Sequence, residues 1–295
     1  MPIFLIIKTM DLSILSREEE FPELVRKRLA SAPLDYEEQF AFIQKMRFSS
    51  HPWEGAGILL PLFFAKEQRE ENFPIPHYTF LLNKRSAIVQ QPGDLCAPGG
   101  GIKPTDKLLQ KILEMALLLW IKKDAWLLAQ QRGKGTYKKI LLILSNALRE
   151  SWEEIRLHPF NIEFLGALPA YRLQSRRWIM FPVVGRVKKA WRPKLSWEVE
   201  KIIPIPLAAF FEVANYAVYS LEIPDNLKAE GIPDPWEFPC FVYKVNGAEE
   251  ILWGATYMVI RSFFQIIFPF PLPSPNGQRI IRRPLLRNYF SGSKG

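Results

Sequence analysis

Apolar and polar positions along the chain separate helical stretches from extended ones. Leu24, Val25 and Leu29 recur at helical spacing within 17–31, and Phe40, Phe42 and Ile43 mark a second helix within 33–45. Two apolar runs follow, Gly55–Phe64 (GAGILLPLFF) and His77–Asn83 (HYTFLLN), and both read as buried strands. The polar, proline-bearing stretch 66–76 between them reads as a turn. Leu109, Ile112, Leu113, Ala116 and Trp120 recur every three or four residues and predict a helix over 107–131, interrupted at Lys122-Lys123-Asp124 and ended by Gly133 and Gly135. A second helical pattern starts near Tyr137 and stops at His158-Pro159, because proline cannot continue a helix. Strands are expected over 161–167, 178–187, 202–205 and 238–245, with a basic turn at 172–177 and a final helix over 254–267. No internal repeat is visible, and strand–helix alternation on this scale points to an α/β sandwich.

Composition fits that picture. The 295 residues are 48% hydrophobic and 23% charged, which suits one large domain with appendages. Three parts are expected: an N-terminal helical appendage over 1–48, a main domain over 49–270, and a basic, proline-containing tail over 271–295. The net charge of +9 is concentrated in two places. The stretch 107–139 carries eight Lys and Arg against Glu114 and Asp124, and 274–295 carries five with no acid. Either patch suits an anionic partner, with ordinary solubility as the alternative. Nucleic acid is not expected, since the tail carries no nucleic-acid motif.

Cys96 and Cys240 alone make neither a disulfide framework nor a metal spacing, which fits a cytoplasmic compartment. His51, His77 and His158 form no triad, and His158 reads as a helix cap. Met1–Ile7 is apolar, but Lys8 and Asp11 interrupt it early, and it does not read as a signal peptide. The longest uncharged run, Ser262–Gln278, is broken by four prolines, so no transmembrane segment is expected.

Candidate chemistry centres on Arg149-Glu150-Ser151-Trp152-Glu153-Glu154. Glu150, Glu153 and Glu154 are spaced i, i+3, i+4, which puts three repelling carboxylates on one helical face. A hard divalent cation turns that repulsion into coordination; a solvated acidic face is the plainer alternative. Upstream, Pro98-Gly99-Gly100 is followed after five residues by Asp106. Lys84 and Arg85, at a strand end, are candidates to face an anionic substrate, against the alternative of an ordinary charged strand terminus.

The glycine pair, the acid five residues on, and Arg-Glu-x-x-Glu-Glu on a helix resemble the Nudix box. The flanking blocks LLNKRS (81–86), GDLCAPGG (93–100), GALP (166–169), FPVVG (181–185) and ILWGATYMVIRSF (251–263) resemble the coenzyme A diphosphatase branch of Nudix hydrolases. The similarity runs in family order over about 55–268. It departs from the family in four respects. Forty-two residues, 107–148, separate the loop acid from Arg149, which implies a helical insertion over 107–140 inside the box. The loop acid is Asp106, Arg156 stands where the box has glycine, and the branch signature before PGG lacks its His and has Ala97 for Phe.

The resemblance implies a Nudix-type α/β/α sandwich with a mixed sheet, and hydrolysis of a diphosphate bond in a nucleoside diphosphate derivative with Mg²⁺ or Mn²⁺. Coenzyme A or an acyl form is the leading substrate; another nucleoside diphosphate derivative, or nucleotide binding without catalysis, is the alternative. It implies Glu150 and Glu154 as metal ligands, Glu153 as a third ligand or the base, and Arg149 as the group that holds a box glutamate. Gly99 and Gly100 shape the loop, and Asp106 either orients it or touches the metal. The insertion's apolar face needs a cover. The domain or the N-terminal helices come first, a homodimer partner second, and a membrane surface touched by 107–131 third.

Overall fold

The computed structural model describes residues 12–66, 76–120, 124–225, 234–275, 279–286, 289–290 and 292, with the backbone alone over 116–120. Lys122 and Lys123, Met1–Ile7 and most of the 66–76 turn lie outside the described residues.

A 3₁₀ turn, Leu12–Ser16, precedes helices α1 (Glu20–Ser31) and α2 (Tyr36–Met46). Strands β1 (Glu54–Ala65), β2 (His77–Arg85), β3 (Leu95–Cys96) and β4 (Gly99–Gly101) follow. Helices α3 (Pro104–Trp120), α4 (Asp124–Gln130) and α5 (Lys134–Ile155) come next. Then come β5 (Ile162–Ala167), β6 (Tyr171–Leu173), β7 (Trp178–Val187) and β8 (Val199–Pro206). The chain continues through β9 (Tyr216–Glu222), β10 (Trp236–Val245), β11 (Ala248–Trp253), α6 (Gly254–Ile267) and β12 (Ile280–Pro284).

The first sheet runs β3-β2-β1-β7-β5, with β4 beside β1, β6 beside β7 and β8 beside β2. It is mixed, because β1 and β7 are parallel and the other pairs antiparallel. Side chains alternate across it. Leu59, Leu81, Phe181 and Val183 pack towards α2, α4 and α5, whereas Ile58, Leu60, Phe80 and Leu82 join a core that includes α1 and α6. Burial on both faces explains why β1 and β2 read as continuous apolar runs. The expected α/β/α sandwich forms. A second sheet, β11-β10-β9-β12, carries β12 parallel to β9.

Several expectations change here. The N-terminal helices are part of the fold: Phe21, Val25 and Leu29 are fully buried in the main core, each contributing roughly 1.5–3 kcal/mol. The basic tail adds β12 to the second sheet and buries Leu285 and Tyr289. The basic turn at 172–177 instead holds β6 and one 3₁₀ turn, Gln174–Arg176. His158 does not cap the long helix; its Nδ1 accepts the Phe160 N–H and starts the next 3₁₀ turn. The cover expected first for 107–131 reaches Leu113 and α4, whose Ala125, Trp126 and Ala129 are buried, but leaves Leu108, Ile112 and Met115 55–65% exposed.

Candidate active site

Helix α5 delivers the acidic triplet, and its ends follow from local rules. Gly133, at φ +92°, separates it from α4. Arg156 ends it in the left-handed region at φ +53°, with Arg156 N–H on Trp152 O at 3.1 Å and Leu157 N–H on Ser151 O at 3.3 Å. Glycine usually fills that position, because a side chain is strained there.

The loop half arrives on β4, antiparallel to β1 with Gly100 opposite Gly57. Helix α3 then starts at Pro104, earlier than its apolar period suggests. Asp106 sits at its third position and accepts the Lys103 N–H at 2.7 Å, a capping-box arrangement behind a proline at the first position. Helices α3 and α4 lie between β4 and α5 in sequence, and the loop still reaches α5 across the 42 residues 107–148.

The two halves touch closely. A Cβ built at Gly100 falls 2.7 Å from the Glu150 carboxyl carbon, and one at Gly99 falls 2.5 Å from Gly57 O. Gly99 N–H points at Glu154 Oε1 at 3.4 Å. Arg149 bridges everything: its Nε donates to Asp106 Oδ1 at 2.6 Å, and its Nη1 lies 2.7 Å from Glu150 and 2.9 Å from Glu153. Lys103 Nζ sits between the same two glutamates, 3.6 Å from Glu150 and 3.7 Å from Glu153.

Glu154 faces away from Arg149. Its Oε2 accepts from Asn83 Nδ2 at 2.6 Å. Burial pushes its carboxyl up to about 8, helped by the nearby Glu150 and Glu198 charges. Burial also raises Glu150, against the pull of Arg149 and Lys103. For Asp106, burial opposes ionisation, but the bonds from Arg149, Lys103 N–H and Asn146 outweigh it and hold the group below its ordinary value.

Lys84 does not face this site. Strand alternation turns it onto Glu250, 3.1 Å away, where Lys201 also lies at 2.7 Å. Arg85 points the other way and donates from Nε to Gln90 O at 2.7 Å.

Sequence reasoning missed three residues that build the site. Asn146 accepts Gly57 N–H at 2.8 Å and donates to Gly101 O and to Asp106 Oδ2, both at 2.9 Å, so it ties β1, β4 and the start of α3 together. Asn83 and Lys103 are the others. An Asn closing an apolar strand run and a lysine just after a glycine run were the available signals.

Among the described residues, no three carboxylate, His or Cys side chains converge into a ready metal cage. Arg149 and Lys103 stand between Glu150 and Glu153. The donor set still fits a hard divalent cation. It consists of oxygens, three carboxylates share one helix face, and the buried Asn83 Oδ1 beside Glu154 has no hydrogen-bond partner.

The chain is 25% identical over 214 residues to an uncharacterised Nudix hydrolase, NudL, of Pectobacterium atrosepticum, covering 72% of this chain and 81% of the relative. This chain is a homologue of a Nudix hydrolase. No protein-family model matches it. Among solved structures, a C. elegans Ap4A hydrolase aligns at 14% identity and TM-score 0.31, over 52% of this chain and 81% of that one. The Nudix domain of Shewanella oneidensis NrtR, complexed with ADP ribose, aligns at 14% identity and TM-score 0.29, over 58% and 83%. No described helix is long and apolar enough to cross a membrane.

Proposed function

We propose that this Nudix homologue hydrolyses the diphosphate bond of a nucleoside diphosphate derivative with Mg²⁺ or Mn²⁺, and that coenzyme A or an acyl form of it is the substrate. The observation that carries this reading is the contact of Gly100 with Glu150, locked by Arg149 on Asp106. A loop displaced by the insertion would leave these carboxylates without the glycine wall.

Glu150 and Glu154 would hold the metal, with Glu153 as a third ligand or the base. When bound, the cation neutralises the diphosphate and lowers the pKa of a coordinated water. Arg149 positions Glu150 and Glu153 through a guanidinium that is itself fixed by Asp106, a geometry a lysine cannot copy. Glu153 is half exposed and stands on the solvent side of the cluster, where a water's proton can be accepted and passed on. Asn83 orients Glu154, and Asn146 keeps the loop on the helix. A cytoplasmic location suits such a substrate, and the exposed Leu108–Met115 face is where a second copy would dock.

Incubation with coenzyme A and Mg²⁺ should yield 3′,5′-ADP and 4′-phosphopantetheine, resolved by chromatography. Glu153→Gln should lower kcat at least about 100-fold. No product from coenzyme A, with turnover of NADH or a nucleotide sugar instead, transfers the reading to another substrate. Full activity in the variant rejects the assigned base.

A further inference from the structure

Two guanidinium groups meet beside the box, and among the described residues no carboxylate lies within ion-pair distance of either. Arg85 ends β2, and Arg176 lies in the 3₁₀ turn between β6 and β7. Both bond one neutral residue: Arg85 Nε donates to Gln90 O at 2.7 Å, and Arg176 Nη1 donates to Gln90 Oε1 at 3.1 Å. Among the described residues neither forms an ion pair within 4.0 Å. Asp94, the acid whose charge both feel, is engaged elsewhere. Its Oδ1 accepts Trp253 Nε1 at 3.0 Å and its Oδ2 accepts the Tyr289 hydroxyl. Burial, and then the neighbouring Arg85 charge, lower the affinity of Arg176 for its proton. The two guanidinium groups outnumber the one nearby carboxylate, and a planar fork of donors suits phosphate oxygens.

The pair is also placed for the reaction. Arg85 is two residues beyond Asn83 on β2, about 7 Å along it, and its side chain lies against Cys96, the residue paired with Asn83. Asn83 bonds Glu154. A substrate with its diphosphate on Glu150 and Glu154 therefore has another part of its nucleotide within reach of Arg85 and Arg176.

We propose that Arg85 and Arg176 form a subsite for a phosphate monoester carried by the nucleotide, separate from the diphosphate that is cleaved. The placement rests on the diphosphatase reading of the box, but the subsite can be tested without turnover. Isothermal titration of the full chain in Mg²⁺ would compare 3′,5′-ADP, 5′-AMP and inorganic phosphate. Wild type should bind 3′,5′-ADP about tenfold or more tighter than 5′-AMP. Arg85→Gln and Arg176→Gln should each shrink that ratio towards one, and Arg176→Lys should restore part of it. Equal binding of the two nucleotides by wild type overturns the proposal. So does an equal loss of both nucleotides in the Gln variants, or inorganic phosphate binding as tightly as 3′,5′-ADP. If coenzyme A is not hydrolysed but the ratio holds, the diphosphatase reading fails and the subsite stands.

Discussion

Gly100 lies against Glu150 with no room for a side chain: a Cβ there falls 2.7 Å from the carboxyl carbon and 2.7 Å from Oε1. Gly100→Ala therefore pushes on the far end of a movable side chain. The fold should survive with a loss of no more than about 1 kcal/mol. Mn²⁺ affinity, read by electron paramagnetic resonance, should fall about tenfold or more. Gly99→Ala meets Gly57 O and Ile58 Cα, which are backbone and cannot step aside. It should cost at least about 1–3 kcal/mol in urea unfolding.

Lys103 places its ammonium where Glu150 and Glu153 would meet a metal, 3.6 and 3.7 Å away, on a side chain that is 55% exposed. Displacing it costs part of the cation's binding energy. Lys103→Ala should tighten Mn²⁺ binding several-fold in titrations without substrate. Unchanged or weaker binding would show that the lysine does not compete.

Arg156 holds a left-handed backbone at the end of α5. Arg156→Gly should remove about 1 kcal/mol of strain. The variant also loses the guanidinium lying 5.1 Å over the Trp152 ring, a contact that returns about 0.5 kcal/mol. Thermal unfolding should show a small net gain in stability.

Asp94 has its carboxyl pushed up to about 6, chiefly by burial. The folded protein therefore binds this proton more tightly than the unfolded chain does. The corresponding stability is fully present below about pH 4 and is lost as pH rises through about 6. Asp94→Asn should be more stable than wild type at pH 8, with the gain shrinking towards pH 4, in unfolding curves taken across that range.

The strands β1, β2 and β7 and the helix α6 were legible because apolar runs and helical periodicity are local properties. The three glutamates on one face were legible too, since a helix fixes the direction of residues i, i+3 and i+4 whatever surrounds it. The strands β9, β11 and β12 were not read as strands. They are short or flanked by proline and polar residues, and their pairing with distant partners makes them strands. The tail became β12 for the same reason.

By itself, then, the sequence determined the layered α/β architecture, the acidic face of α5 and the glycine loop meant to meet it. Only the tertiary structure decided that they meet. Asn146 reaches back to Gly57, Gly101 and Asp106 across 89, 45 and 40 residues, and Asn83 reaches Glu154 across 71. It also turned Lys84 onto Glu250, and set Lys103 between two glutamates. Such contacts depend on which buried polar atoms find partners once the sheet closes, a global condition that no local window of residues encodes.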